Sequence, residues 1–431
     1  MSFNKNFLWG VSGAAPQQDG GYLDDGKGLN IWDAPLSVGH IRNNDDCHVA
    51  CDHYHKWKDD FKLLKKIGVN CYRFSISPAR IYPIDENAVN EQGIKYYVDM
   101  VTELNRLGIE PMCTLYHWDM PLWLHERGGW KTPLAVEWFE RYVKTVVNAI
   151  SDKVQYWITF NEPQCFVGLG YKSGCHAPFE KLPLSDIKDI SRNVMLAHGR
   201  AVKVIRDSAK LTPKITFAPT SGLTMPTENV SEEEAYNRTF DISYDDVSNT
   251  AWWADPIVLG KAPKGCDWLS EQDLSTIHQP LDFFAYNIYN ALNSEFGESH
   301  FGPALTTMGW PVTPECMYWA AKFFFKRYKL PLMITENGMA NMDFIYGDGK
   351  IHDPQRAEYL RTYLGNLKKA CDENIPIIGY SYWSFMDNFE WAEGYFQRFG
   401  LVYVDYKTQE RILKDSAYFY HEIIKTNGEN L

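Results

Sequence analysis

The sequence predicts an α/β protein, a single (β/α)8 TIM barrel with extended βα loops, and three observations carry that expectation. Eight apolar, β-branched runs recur along the chain, amphipathic helical stretches lie between them, and no linker or low-complexity tract breaks the alternation. A chain of 431 residues exceeds one average domain, but barrels with loop insertions reach this length, so residues 1–431 are read as one catalytic domain.

The elements follow in order. The first strand is 7–14 (FLWGVSGA), and the stretch Tyr54–Lys66 behind it places apolar residues three and four apart, the spacing of one helix face. Strand 71–77 (CYRFSIS) precedes helix Glu91–Leu107, strand 110–117 (EPMCTLYH) precedes helix Leu134–Ser151, and strand 156–161 (YWITFN) precedes helix Asp186–Ala209. Strands 214–220 (KITFAPT) and 282–289 (DFFAYNIY) come next, then helix Thr313–Tyr328, strand 332–337 (LMITEN), helix Pro354–Asn374 and strand 377–385 (IIGYSYWSF). Ser231 ahead of Glu232-Glu233-Glu234 predicts a further helix start, where carboxylates suit the positive end of the dipole.

Composition narrows the function. Lys and Arg total 43 against 55 Asp and Glu, and the resulting charge of −12 disfavours a nucleic acid or an anionic membrane surface as partner. Fifteen Trp and 26 Tyr suit a sugar, whose pyranose ring offers an apolar C–H face, although an aromatic-rich core would use them equally well. Nine cysteines, an odd number scattered from Cys47 to Cys371, read as reduced thiols. The first residues hold no apolar run of signal-peptide length and no segment reaches membrane-spanning length, so the expected location is cytoplasmic. The run from Asp45 to His55 is rich in Asp, Cys and His, but its spacing fits no zinc pattern, and no metal or cofactor is expected.

In such barrels chemistry sits at the C-terminal strand ends. Here those ends hold Gln17, Arg73, His117, Asn161, Glu162, Asn287, Tyr289, Glu336 and Trp383. Glu162 closes the fourth strand and Glu336 the seventh, expected to face each other across the mouth, and paired carboxylates are the equipment of glycoside hydrolysis.

The motifs FLWGV, VACDHYHKWKDD, CYRFSIS, TLYHWDMP, TFNEP, HAP at 176–178, MGW at 308–310, ITENG and DNFEWAEGY with RFGLVYVDY span nearly the whole chain. In them the chain resembles glycoside hydrolase family 1. The resemblance implies a retaining exo-β-glycosidase of β-glucosidase type, with Glu336 as nucleophile and Glu162 as acid/base, and with Arg73 and Tyr289 holding the nucleophile. It also implies that Gln17, His117, Asn161, Glu390, Trp383 and Trp391 bind the terminal sugar and that Trp310 lies on the aglycone side. Relatives acting on 6-phosphorylated glycosides resemble the chain elsewhere but carry a serine- and lysine-bearing pocket where Glu390-Trp391-Ala392-Glu393-Gly394 stands here. A carboxylate there is expected to repel a phosphate dianion, so the substrate is read as a small neutral β-glycoside or disaccharide.

Three segments depart from the family's usual wording: Ala15-Pro16-Gln17-Gln18-Asp19, Ser77-Pro78-Ala79-Arg80 and Ala285-Tyr286-Asn287-Ile288-Tyr289. They leave the named ligands in place. The residues leave open glucoside against galactoside or fucoside, hydrolysis against transglycosylation, a non-catalytic sugar-binding protein on the same fold, and assembly into a homo-oligomer.

Overall fold

The computed structural model describes residues 3–243, 246–291 and 304–431. All eight predicted strands form: β1 (Leu8–Ser12), β2 (Cys71–Ser75), β3 (Glu110–Tyr116), β4 (Tyr156–Asn161), β5 (Lys214–Ala218), β6 (Phe284–Asn287), β7 (Leu332–Asn337) and β8 (Ile377–Trp383). They pair in the parallel order β5-β4-β3-β2-β1-β8-β7-β6. The sheet closes where β5 meets β6, through Asp282 N–H to the Ile215 carbonyl (3.0 Å) and a parallel bridge between Thr220 and Asn287. Parallel strands buried on both faces read as near-continuous apolar runs, which is why each is visible in the sequence.

Side chains alternate across each strand, and the inward set stacks in layers. Cys71, Met112, Ile158, Ala218, Phe283, Ala285 and Met333 form a dry plug inside the barrel. Two residues further along β2 and β3, the inward layer turns polar: Arg73 Nε donates to Thr114 Oγ1 at 3.1 Å. The chemistry therefore rests on an apolar floor. The larger core lies outside, between strands and helices.

The predicted helices appear as His53–Ile67, Glu91–Arg106, Pro133–Ile150, Leu184–Ser208, Cys316–Tyr328 and Pro354–Asp372. Ser231 caps Glu232–Thr239 as expected, accepting from Glu234 N–H at 3.2 Å. The helix expected from Thr313 starts only at Cys316, because Thr313 is held by loop contacts: its N–H donates to Tyr363 Oη (2.8 Å) and its Oγ1 accepts from Ala291 N–H (2.9 Å). Besides short helices in the loops, such as Leu122–Glu126 and Glu271–Ile277, two larger features have no counterpart in the sequence expectations, the hairpin of β9 (Val402–Asp405) with β10 (Glu410–Leu413) and the helix Asp415–Lys425. Both come after the eighth strand, where the alternating pattern has no slot for them. The Asp45–His55 run has structural roles: the Cys51 thiol donates to the Asp387 carbonyl (2.9 Å) and His53 pairs with Asp60 (2.8 Å).

Candidate active site

The end of β4 makes the first catalytic candidate available. Its strand conformation stops at Asn161, and Glu162 adopts φ 42°, ψ 67°, a left-handed conformation that costs a non-glycine residue about 1 kcal/mol or more. Pro163 then opens the helix Pro163–Val167, and its fixed φ suits that first position. The Glu162 side chain is thereby turned into the mouth, where Asn287 Nδ2 donates to its Oε1 at 2.7 Å.

Glu336 lies within β7. Arg73 Nη1 donates to Glu336 Oε1 at 2.5 Å, and Tyr289 Oη donates to Oε2 at 2.7 Å. Arg73, inside β2 and not at its end, is buried and uses its second arm on Asn161 Oδ1 (2.6 Å). Tyr289 falls beyond β6, two residues shorter at this end than predicted, and its carbonyl accepts from both Tyr359 and Tyr363 (3.2 and 3.1 Å). Gly338, in ITENG, leaves room for the Trp383 carbonyl, which a Cβ would meet at 1.9 Å.

Glu162 and Glu336 reach the cavity from the C-terminal parts of β4 and β7, the two strands the sequence points to. The strand order puts β5 and β6 between β4 and β7, three steps around a ring of eight. Asn287 of β6, a strand-end residue with no role evident in the sequence, is the link between them. Its Nδ2 donates to Glu162 and to Asn161 Oδ1 (3.0 Å), and its Oδ1 accepts from Thr335 Oγ1 (2.7 Å).

Electrostatics separates the pair. Burial, then the neighbouring Glu336, pushes the Glu162 carboxyl up to about 7, with hydrogen bonds from Asn287 and Cys165 and the charge of Arg73 pulling the other way. Burial, then the charge on Glu336, also holds the Tyr289 phenol protonated, as a donor to the Glu336 carboxyl must be. The site thus keeps an acid next to a carboxylate that has two donors of its own.

The sugar-binding candidates cluster around a cavity of about 450 Å³ lined by His117, Asn161, Glu162, Tyr289, Trp310, Glu336, Trp383, Glu390 and Trp391, together with Cys165, Cys175 and Met308. Asn161 Nδ2 meets His117 Nε2 at 3.0 Å, which leaves the proton on Nδ1. Burial and Arg73 keep that imidazole neutral. Gln17 lies on a short helix (Ala15–Gln18) and not at a strand end. It is fully buried, and its Nε2 donates to the Phe389 carbonyl (3.0 Å) and Glu390 Oε2 (3.4 Å). Gln17 Oε1 and His117 Nδ1 are buried without a protein partner among the described residues, one an acceptor and the other a donor suited to hydroxyls. Trp391 stacks on Trp118 (ring centroids 4.5 Å apart, 27°), and Trp118 donates its indole N–H to the Asn161 carbonyl at 3.0 Å. Trp118 sits within the motif TLYHWDMP, which marks its position without revealing this contact.

This constellation extends along the entire chain. The family model for glycosyl hydrolase family 1 matches residues 1–429. The chain belongs to that family. It is 39% identical to β-glucosidase A of Thermotoga maritima over 99% of this chain and 98% of the relative, and 38% identical to β-glucosidase A of Acetivibrio thermocellus over 99% of each. Among solved structures, the β-glucosidase from Thermotoga maritima in complex with noeuromycin superposes with a TM-score of 0.91 at 37% identity, covering 99% of both chains. The family 1 chain is a glycosidase on a (β/α)8 barrel.

One expectation about charge changes. Burial, then Glu336 and Glu162, pushes Glu390 up to about 8, which weakens the repulsion of a phosphate expected from an ionised carboxylate there. None of the described residues lining the cavity is a lysine or arginine, so among them a phosphate would find no countercharge to offset its desolvation.

Proposed function

We propose that this protein is a retaining β-glucosidase acting on small non-phosphorylated β-glucosides, with Glu336 as nucleophile and Glu162 as acid/base. The observation that carries the reading is the division of protonation: Glu336 accepts from Arg73 and Tyr289, while Glu162 is buried beside it with its carboxyl pushed up to about 7.

In the first step Glu336 attacks the anomeric carbon as the C–O bond to the aglycone breaks, and the Glu162 proton passes to the departing oxygen. A glycosyl ester forms and Glu336 loses its charge. With that charge gone, Glu162 ionises more readily, takes a proton from water, and the resulting hydroxide equivalent displaces Glu336 with a second inversion. Gln17, His117, Asn161 and Glu390 hold the hydroxyls, Trp383 and Trp391 flank the ring, and Trp310 supports the aglycone. The whole reaction is assigned to the single barrel of residues 1–431, without metal or cofactor.

The enzyme is read as cytoplasmic, acting on diffusible sugars with neither nucleic acid nor membrane as partner. The charge of −12 supports this, and among the described residues no helix is long and apolar enough to cross a membrane.

The test is nitrophenol release from aryl β-glucoside, β-galactoside, β-fucoside and β-glucoside 6-phosphate, with the anomer of the first-formed sugar read by NMR. Turnover of the neutral glucoside with β-product first is expected. Activity confined to the phosphorylated substrate, or α-product first, would overturn the reading.

A further inference from the structure

Glu393 lines the same cavity as Glu162, Glu336 and Glu390 but has no part in the reaction as described. It stands two residues past Trp391, in the turn Trp391–Glu393, where its backbone N–H donates to the Glu390 carbonyl at 2.9 Å. The segment that carries Glu390 and Trp391 into the cavity therefore also sets the place of Glu393. Gly394 closes the turn at φ 58°, ψ −132°, a conformation that suits glycine, and a Cβ there would run into the Asp45 carboxylate. The Glu393 side chain is 39% exposed against 4% for that of Glu336, so Glu393 stands at the solvent end of the cavity. An exo-acting enzyme holds the terminal sugar at the closed end, and the leaving group extends toward solvent, past Glu393.

A cation from another loop orients this carboxylate. Arg42, in the turn Arg42–Asn44 between β1 and β2, donates from Nη1 to Glu393 Oε2 at 2.8 Å, and its guanidinium lies 3.4 Å from the centroid of the Phe396 ring. Glu393 Oε1 has no hydrogen-bond partner among the described residues. The ion pair is neutral as a whole, so it exerts little pull on a cationic aglycone, and its free oxygen is an acceptor for a hydroxyl. Trp310, on the wall of the same cavity, adds an apolar ring for the C–H face of a sugar.

We propose that Glu393 is a specificity-determining residue for the leaving group: its Oε1 accepts a hydrogen bond from a hydroxyl of a sugar aglycone, and Arg42 is the positioning residue that orients it. The proposal rests on the reading of this protein as a β-glucosidase and deepens it, since it makes a disaccharide, more than an aryl glucoside, the substrate that this end of the cavity is built for. A p-nitrophenyl aglycone has no hydroxyl to donate, so comparing the two substrates isolates the contact.

The test measures kcat/KM for cellobiose by glucose release and for p-nitrophenyl β-glucoside by nitrophenol release, and reads the ratio of the first to the second. In Glu393→Ala the ratio should fall roughly tenfold, the scale of one hydrogen bond to a charged acceptor. Glu393→Gln, which keeps an oxygen acceptor without the charge, should lower it by less. Arg42→Ala should lower the ratio in the wild-type background and leave it unmoved in the Glu393→Ala background, an outcome that a merely structural role would not produce. Circular dichroism and thermal unfolding confirm that each variant is folded.

An unchanged ratio in Glu393→Ala would overturn the proposal. So would an equal loss in the glutamine and alanine variants, which makes charge and not the acceptor the determinant, or an Arg42→Ala effect that persists without Glu393. A wild type that hydrolyses the nitrophenyl glucoside but not cellobiose would overturn it and leave the glycosidase reading standing, whereas a wild type inert on both would sink that reading and the proposal with it.

Discussion

Two buried ionic clusters in this molecule invite comparison. Behind the C-terminal hairpin, Arg356, Lys414 and Arg398 meet Asp343, Asp353 and Asp387, three cations against three carboxylates. Arg356 pairs with Asp343 (2.7 Å) and with Asp353, Lys414 bridges Asp343 and Asp387 (2.6 Å each), and Arg398 reaches Asp387 at 2.6 Å. Spare oxygens are used too, as Ser416 N–H and Gly400 N–H donate to Asp353 and Asp387. Burial alone would raise Asp343, but Lys414 and Arg356 outweigh it and hold the carboxyl below its usual range.

The barrel mouth is the opposite case. Glu162, Glu336 and Glu390 share one arginine, Arg73, which hydrogen-bonds Glu336 directly. The surplus carboxylates cannot all be charged, so protons stay on Glu162 and Glu390 into the neutral range. Balanced charge makes a lock, and unbalanced charge makes a titrating site. Both clusters are buried, so burial does not distinguish them.

The difference can be broken from either side. Replacing Glu336 with Gln should lower aryl β-glucoside turnover by roughly 10⁴-fold or more, measured by nitrophenol release, with little change in thermal stability. Replacing Asp343 with Ala should do the reverse. Lys414 and Arg356 would be left buried and underpaired, destabilising the fold by about 3–5 kcal/mol in denaturant unfolding while activity per folded molecule holds. If Asp343→Ala cost activity and not stability, the contrast would be wrong.

Smaller effects sharpen it. Glu390→Gln should lower kcat/KM for the neutral glucoside by about 10–100-fold through lost hydroxyl contacts, about 1–3 kcal/mol. It should not open the site to glucoside 6-phosphate, because no lysine or arginine lines the cavity among the described residues. In wild type, kcat/KM should fall on the alkaline side with a midpoint near 7, as Glu162 loses the proton it must donate. In Glu336→Gln, a titration of Glu162 followed by NMR should move to lower pH, because the Coulombic part of its elevation is gone and only burial remains.

Most of the barrel is legible along the chain because parallel strands buried on both faces announce themselves locally. Glu162 and Glu336 are legible for a different reason. Each sits in a dense local motif whose proline or glycine meets a geometric need, since Pro163 starts a helix after the left-handed turn and Gly338 admits the Trp383 carbonyl. The role of Asn287 is not legible, since nothing in Tyr-Asn-Ile says which carboxyl it will touch. Gln17 is picked out as a candidate ligand by its motif, but a four-residue helix carries it and not the strand end that the sequence suggests.

The sequence by itself determined the strand count, the helices between strands, the family and the two carboxylates, because these are written in periodicity and contiguous motifs. Only the tertiary structure decided that Asn287 hydrogen-bonds both Glu162 and Thr335, that Gln17 is carried by a short helix, and that burial beside Glu336 and Glu162 pushes Glu390 up. Those properties depend on strand order, through-space charge and desolvation, which arise among residues distant from one another in the chain.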